Sequence, residues 1–241
     1  MNMAHFMIIE QIRQALIDSI DAKTKTTSDR YFKKGEAPKT YGIKMGEVGN
    51  IAKISFQQIK EFPKQNIFEM CEELWKSGYL EEAIIACKWS ERIHKKYEPA
   101  DFAVFKRWLN SYVTNWADCD TLCNHTIGAF LMMYPDYVTK LKEWTISSNR
   151  WMRRGSAVSL IIPARKGLFL NDILEIADIL MPDKDDLVQK GYGWALKSAS
   201  EAHQNVVFEY VMKNKSLMPR TALRYAIEKM PTDLKAEAMK K

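Results

Sequence analysis

Ten glycines and eight prolines in 241 residues leave little backbone punctuation, which favours long helices over many short, turn-rich strands. No stretch shows sustained period-two alternation bounded by turns, so no strand is expected. Without strands there is no frame for dinucleotide binding. A phosphate-cradling glycine loop, a zinc-protease histidine pair and a nucleophile elbow are all missing. No apolar run is long enough to span a bilayer, and the first twenty residues carry Glu10, Arg13 and Asp18. The four cysteines, Cys71, Cys87, Cys119 and Cys123, have no framework spacing, so reduced thiols and a cytoplasmic protein are expected. Charge is not segregated either. Residues 1–100 hold 16 Lys/Arg against 14 Asp/Glu, and the rest 20 against 16, for a net +6. Such an excess suits a polyanion only where it is clustered.

Hydrophobic residues make up 46 % of the chain and charged residues 27 %, with seven Trp, ten Tyr and ten Phe. That is ample material for a core and argues against disorder. Apolar residues recur at three and four over His5–Asp21 (Phe6, Ile9, Ile12, Leu16, Ile20). The same periodicity runs over Glu47–Glu61, Pro63–Lys76, Tyr79–Tyr97, Asp101–Thr114 and Trp116 to about Tyr134. It continues over Pro135–Ile146, Asn149–Arg165, Asn171–Met181, Lys184–His203, Asn205–Asn214 and Pro219–Met230. Residues 23–46 read as a polar loop. Helices joined by short polar turns, with no heptad, predict an all-α fold of stacked antiparallel helix pairs in one domain, 1–241.

The helix opening at Asn115-Trp116-Ala117-Asp118-Cys119-Asp120 holds a conflict between pattern and residue type. At about 100° per residue, Trp116, Asp120, Cys123, Ile127, Phe130, Leu131 and Tyr134 share one side. Asp120 thus lies in an apolar stripe, where a charge loses its hydration unless it is paired or used. Asp118 and His125 fall on the other side, and Asp118 reads as surface. Cys119 and Cys123 with His125 nearby raise the question of a metal, but His125 points away from Cys123. The expectation is buried core thiols and no metal site.

Three further places could carry chemistry. Residues 147–170 hold Arg150, Arg153, Arg154, Arg165 and Lys166 and no acid. Arg153 is expected to face water and Arg154 to border the stripe beside Trp151. The run is either a solvated basic face or a phosphate clamp, since guanidinium pairs bidentately with phosphate. In Gln189-Lys190-Gly191-Tyr192-Gly193-Trp194 two glycines sit inside a helical pattern, at a cost of about 1 kcal/mol each relative to Ala. Close backbone packing is the expected reason, and Trp194 either packs on a neighbour or lines a groove. Residues 31–44, from Tyr31-Phe32-Lys33 to Tyr41-Gly42-Ile43-Lys44, form either a basic loop with aromatic anchors or a lid or strand-contacting edge.

These four places, in this order, resemble the DNA alkylation-repair glycosylase family AlkD, which is built from HEAT-like helical repeats. Trp116-Ala-Asp-Cys-Asp120 resembles its Trp-x-x-x-Asp, and Trp151-Met-Arg-Arg154 its Trp-x-x-Arg. Gln189-Lys-Gly-Tyr-Gly-Trp194 resembles its Gln-Lys-x-x-Gly-Trp, and Tyr31-Phe-Lys with Gly42-Ile-Lys44 its N-terminal segment. The likeness covers roughly residues 5–230. Two departures stand out. Met45-Gly46-Glu47-Val48 replaces the family's Pro and Arg, and Gly155-Ser156 follows Arg154 where Ala is more usual.

The resemblance implies a superhelical array of HEAT-like helix pairs with a concave basic groove. It also implies excision of cationic N3- or N7-alkylated purines from double-stranded DNA, in base excision repair. Asp120 would be the catalytic carboxylate. Trp116 and Trp194 would flank the damaged nucleotide, Arg154 would hold the backbone, and Tyr31, Lys190 and Arg153 would add DNA contacts. Trp faces attract such a cation by about 0.5–2 kcal/mol each. No lysine stands out as a Schiff-base nucleophile, so a monofunctional glycosylase is expected. It would need no cofactor, no membrane and no obligate protein partner, and would act as a nucleoid-associated cytoplasmic monomer. The competing class is a non-catalytic DNA-binding or scaffold protein on the same array, because fold does not fix function.

Overall fold

The computed structural model describes residues 3–240, apart from the side chains of Ser28 and Asp29. Among the described residues every regular element is helical, and Lys39 pairs with Tyr79 in an isolated bridge. The fold is all-α. Its helices cluster into two compact units, one up to Thr126 and the other from Ile127 on.

The first unit comprises α1 (Met3–Asp18), α2 (Ala22–Thr27), α3 (Met45–Ile59), α4 (Lys64–Lys76), α5 (Leu80–Arg92), α6 (Asp101–Ser111) and α7 (Trp116–Thr121). α4 starts after Pro63, whose ring suits a helix start, and stops at Ser77-Gly78. Gly78 takes φ +71° and its N–H caps the Trp75 carbonyl, which turns the chain straight into α5. The two helices pack together through that short turn, as an antiparallel pair must. Their apolar faces meet α3 and α6 around Ile67, Met70, Ile85, Trp89, Phe105 and Trp108. The Trp89 indole N–H, fully buried, donates to the Ala52 carbonyl on α3 (3.1 Å).

The second unit comprises α8 (Gly128–Met133), α9 (Val138–Trp144), α10 (Arg150–Val158), α11 (Ile161–Arg165), α12 (Leu170–Leu180), α13 (Asp186–Asn214), α14 (Arg220–Ala226) and α15 (Thr232–Met239). α13 is its spine, and α10, α11, α12 and α14 all pack on it. The two glycines of α13 make this possible. A Cβ on Gly193 would lie 2.8 Å from the Ala222 carbonyl oxygen of α14, and one on Gly191 would lie 3.3 Å from Arg154 Cγ of α10. The expected break near His203 is a kink within one long element, where His203 takes φ −132°, ψ 50°.

Three expectations are corrected. Residues 23–27, read as loop, belong to α2. The helix expected over Asn149–Arg165 is two, α10 and α11. The one expected from Trp116 to Tyr134 is α7, a π turn over Leu122–Ile127, and α8.

Candidate active site

α7 starts on a side-chain cap. The Asn115 side-chain oxygen accepts from the N–H groups of Ala117 and Asp118 (both 3.0 Å), and its amide nitrogen donates to the Asp118 carboxyl (2.5 Å). Asp118 is therefore turned inward and is 5 % exposed, not a surface acid as the wheel implied. The π turn explains the difference. It takes up about one extra residue, so positions before it are rotated by about 100° relative to the apolar residues after it. Asp118 moves into the packing and Asp120 moves towards the surface, where it is half-buried.

The two acids of α7 consequently differ in chemistry. Burial pushes the Asp118 carboxyl up to about 8, against the hydrogen bond from Asn115, and the nearby Glu81 charge adds to the rise. Its Oδ1 is buried without a hydrogen-bond partner. At neutral pH Asp118 is mainly a neutral acid. Asp120 is half-buried. Cys119 and Cys123 are fully buried thiols, and His125 bonds Glu91 (3.1 Å).

Trp116, one turn before Asp120, is tied to the N-terminal segment. Its indole N–H donates to the Tyr31 carbonyl (3.2 Å), and its ring lies 5.6 Å from that of Phe32. Tyr31 is 62 % exposed and carries the Arg30 guanidinium over its ring at 5.1 Å. Beside them lies a cavity of about 560 Å³ whose wall includes Trp116, Ala117, Tyr31, Phe32, Ile43 and Lys44.

One anchor of this wall had no signal in the sequence. Glu81, fully buried at the start of α5, accepts from the Thr40 hydroxyl (2.6 Å) and from the N–H groups of Tyr41 (3.1 Å), Gly42 (2.9 Å) and Ile43 (3.3 Å). Glu82 takes the Tyr41 hydroxyl (2.8 Å) and Arg13 (3.3 Å). Gly42, at φ +84°, lies so close to α2 that a Cβ would sit 2.4 Å from Lys25 Cβ. Two consecutive acids opening a helix look like dipole complements; only their burial shows that they hold a loop.

In the second unit, Arg153 does not face water. It pairs with Asp183 (2.7 Å) and donates to the Ser147 and Ser148 carbonyls, inside the turn before α10. Arg154 is 5 % exposed, lies against Gly191 and donates to the Leu187 carbonyl. Lys190 pairs with Asp186 one turn earlier on α13 (3.3 Å). Trp194 is half-buried with Lys197 Nζ 5.8 Å from its ring. Thus the first unit brings Trp116 and Tyr31 together and places Asp120 one turn after Trp116 on α7. The second groups Arg153, Arg154, Lys190 and Trp194 along α10 and α13.

The family described as DNA alkylation repair enzyme matches residues 12–230. The chain belongs to that family. Membership gives it a role in DNA alkylation repair and DNA as its substrate. No curated protein matches the chain. A solved structure described as a predicted DNA alkylation repair enzyme from Enterococcus faecalis is similar at 16 % identity and a TM-score of 0.77. The match covers 89 % of this chain and 98 % of that one, and at this identity the likeness is one of fold. The family match takes in all four motif regions, from Tyr31 to Trp194.

Proposed function

We propose that this repair enzyme is a monofunctional DNA glycosylase that releases cationic N3- or N7-alkylated purines from duplex DNA. Water attacks C1′, the C1′–N bond breaks, and its electron pair goes to the purine, which leaves as a neutral base. Water's second proton is lost to solvent or to a carboxylate. The observation that carries the reading is the division of labour on α7. Asp118 is buried and mainly neutral, while Asp120 is half-buried, one turn from Trp116. Positive charge builds on the deoxyribose as the bond breaks, and a carboxylate held at that point lowers the barrier electrostatically. Asp120 would also orient the attacking water. The leaving group already carries positive charge, so no strong general acid is needed.

In the first unit Trp116 is assigned to the cationic base, whose charge suits an indole face; Trp194, in the second unit, is assigned to DNA contact. Arg154 is assigned to a backbone phosphate. A guanidinium has five N–H donors, so the bond to Leu187 is compatible with a second partner. Tyr31 and Lys190 supply further contacts, and Arg153 acts chiefly by holding the turn before α10. The test is release of alkylated purines from methylated duplex DNA at low salt. Wild type should release base and Asp120→Asn should be slower by about 10²-fold or more, the scale of one lost electrostatic group. Equal rates would remove Asp120 from the mechanism, and no release by wild type would leave a non-catalytic DNA-binding protein.

A further inference from the structure

α7 runs into the π turn over Leu122–Ile127. A π turn inside a helix is rare, usually single, and concentrated at functional sites. This one is not kept for its own stability. It buries the Asn124 Oδ1 with no hydrogen-bond partner among the described residues, and such an orphan costs free energy. Its extra residue sets which acid of α7 faces inward, because moving that residue along the helix would rotate α7 by about 100°. Something must therefore pin the turn in place.

Two adjacent residues of the turn reach the last turn of α5. The Thr126 and Ser90 hydroxyls share a hydrogen bond (2.9 Å), and both side chains are fully buried. Ser90 donates its one proton to the Cys87 carbonyl (2.9 Å), so Thr126 is the donor to Ser90. Ser90 is itself fixed, since its carbonyl accepts from the buried Tyr97 hydroxyl (2.7 Å). Beside this pair, His125 Nδ1 lies 3.1 Å from Glu91 Oε1, with the two side chains 45 % and 42 % exposed. An exposed ion pair contributes little, whereas a buried hydroxyl pair has no water to fall back on. We infer that Thr126 is a positioning residue for the repair reaction: its hydroxyl, locked to Ser90 on α5, fixes the π turn and so holds Asp120 towards the surface and Asp118 in the packing. Fully buried, Thr126 acts only through α7. The use of Asp120 in the reaction rests on the proposed function; the lock on the register of α7 does not.

Two readouts with the full-length chain test this. The first is maleimide labelling of a thiol placed on α7 by Asp120→Cys; the four native cysteines are buried and report any global opening. Thr126→Val keeps the side-chain shape and leaves Ser90 its Cys87 acceptor, so the fold should survive. The labelling rate at position 120 should change by about fivefold or more, the population shift that one net hydrogen bond controls, while the native thiols stay unlabelled. Thr126→Ser keeps the hydroxyl and should restore the rate, and His125→Ala should stay within about twofold of wild type. The second readout is single-turnover release of alkylated purine. Thr126→Val should slow release by about tenfold to 10²-fold at unchanged DNA affinity, the scale of a misplaced reacting group. It should not slow Asp120→Asn further, because residues that act as one unit are non-additive. If labelling at position 120 is indifferent to Thr126→Val, or if Thr126→Ser fails to restore it, the inference is overturned. It is also overturned if Thr126→Val slows wild type and Asp120→Asn by equal factors. Where Thr126→Val does not melt cooperatively, Ser90→Ala removes the other hydroxyl of the pair and takes its place. Should wild type release no base, the proposed function fails and labelling alone decides the lock.

Discussion

Asp118 and Asp120 are separated by one residue, and their surroundings make them different acids. Asp118 sits under α7 among Asn115, Glu81 and the Cys87 thiol; Asp120 is half-buried on the side of Trp116. The raised Asp118 carboxyl has a consequence for stability. Unfolded, it ionises near its ordinary value of about 3.9; folded, it ionises at about 8. Because folding raises the value, the neutral acid's contribution is complete below pH 4 and is lost as pH rises to about 8, then stays level. Asp118→Asn has no such dependence. Urea midpoints at pH 5, 7 and 9 should show wild type losing stability relative to the variant at up to about 1.4 kcal/mol per pH unit within that window. Parallel curves would mean that Asp118 is ionised in the folded protein. A second change tests the loop anchor. Glu81→Gln would turn amide N–H groups towards donors at residues 40–43, and should cost about 1–3 kcal/mol in urea unfolding. An unchanged midpoint would contradict the network.

At the scale of elements, most of the helices were legible because their apolar faces recur at three and four. α3, α4 and α12 lie within two residues of their sequence bounds at either end. The expected division between Lys184–His203 and Asn205–Asn214 falls on a kink: α13 bends at His203, which bonds the Gly167 carbonyl (3.0 Å). α2 was not legible, because Ala22–Thr27 buries no residue and so leaves no periodic signal. The π turn was not legible either, since a wheel assumes one period throughout, and that misplaced Asp118. Phe6 was expected in the core stripe of α1 but is exposed, while Ile9, Ile12 and Leu16 of the same stripe are buried. Gly191 and Gly193 were legible as sites of close approach from their cost alone. Gly193→Ala should destabilise the second unit by about 1–3 kcal/mol, the range for an overpacked contact. Thermal unfolding reads this directly; an unchanged midpoint would mean that α14 shifts freely.

Across the whole molecule, the +6 charge is too modest and too evenly spread to identify DNA unaided, and the family match supplies what composition does not. Among the described residues no helix is long and apolar enough to cross a membrane. The motif residues were legible as residues, but their surroundings were not. Arg153 was expected to face water and instead ties down a turn, while Arg154, expected at the border of the stripe, is packed between α10 and α13. If Arg154 holds a phosphate, Arg154→Ala should weaken binding to all duplex sequences alike and reduce the slope of log affinity against log salt by about one. A slope equal to wild type would confine Arg154 to packing.

The claim at the centre is that Asp120 acts on the glycosidic bond. Single-turnover release of alkylated purine from methylated duplex DNA, by wild type and by Asp120→Asn at matched DNA affinity, tests it most directly. Wild type should release base and the variant should be slower by about 10²-fold or more; release at the same rate by both proteins would contradict a role for Asp120 at the glycosidic bond.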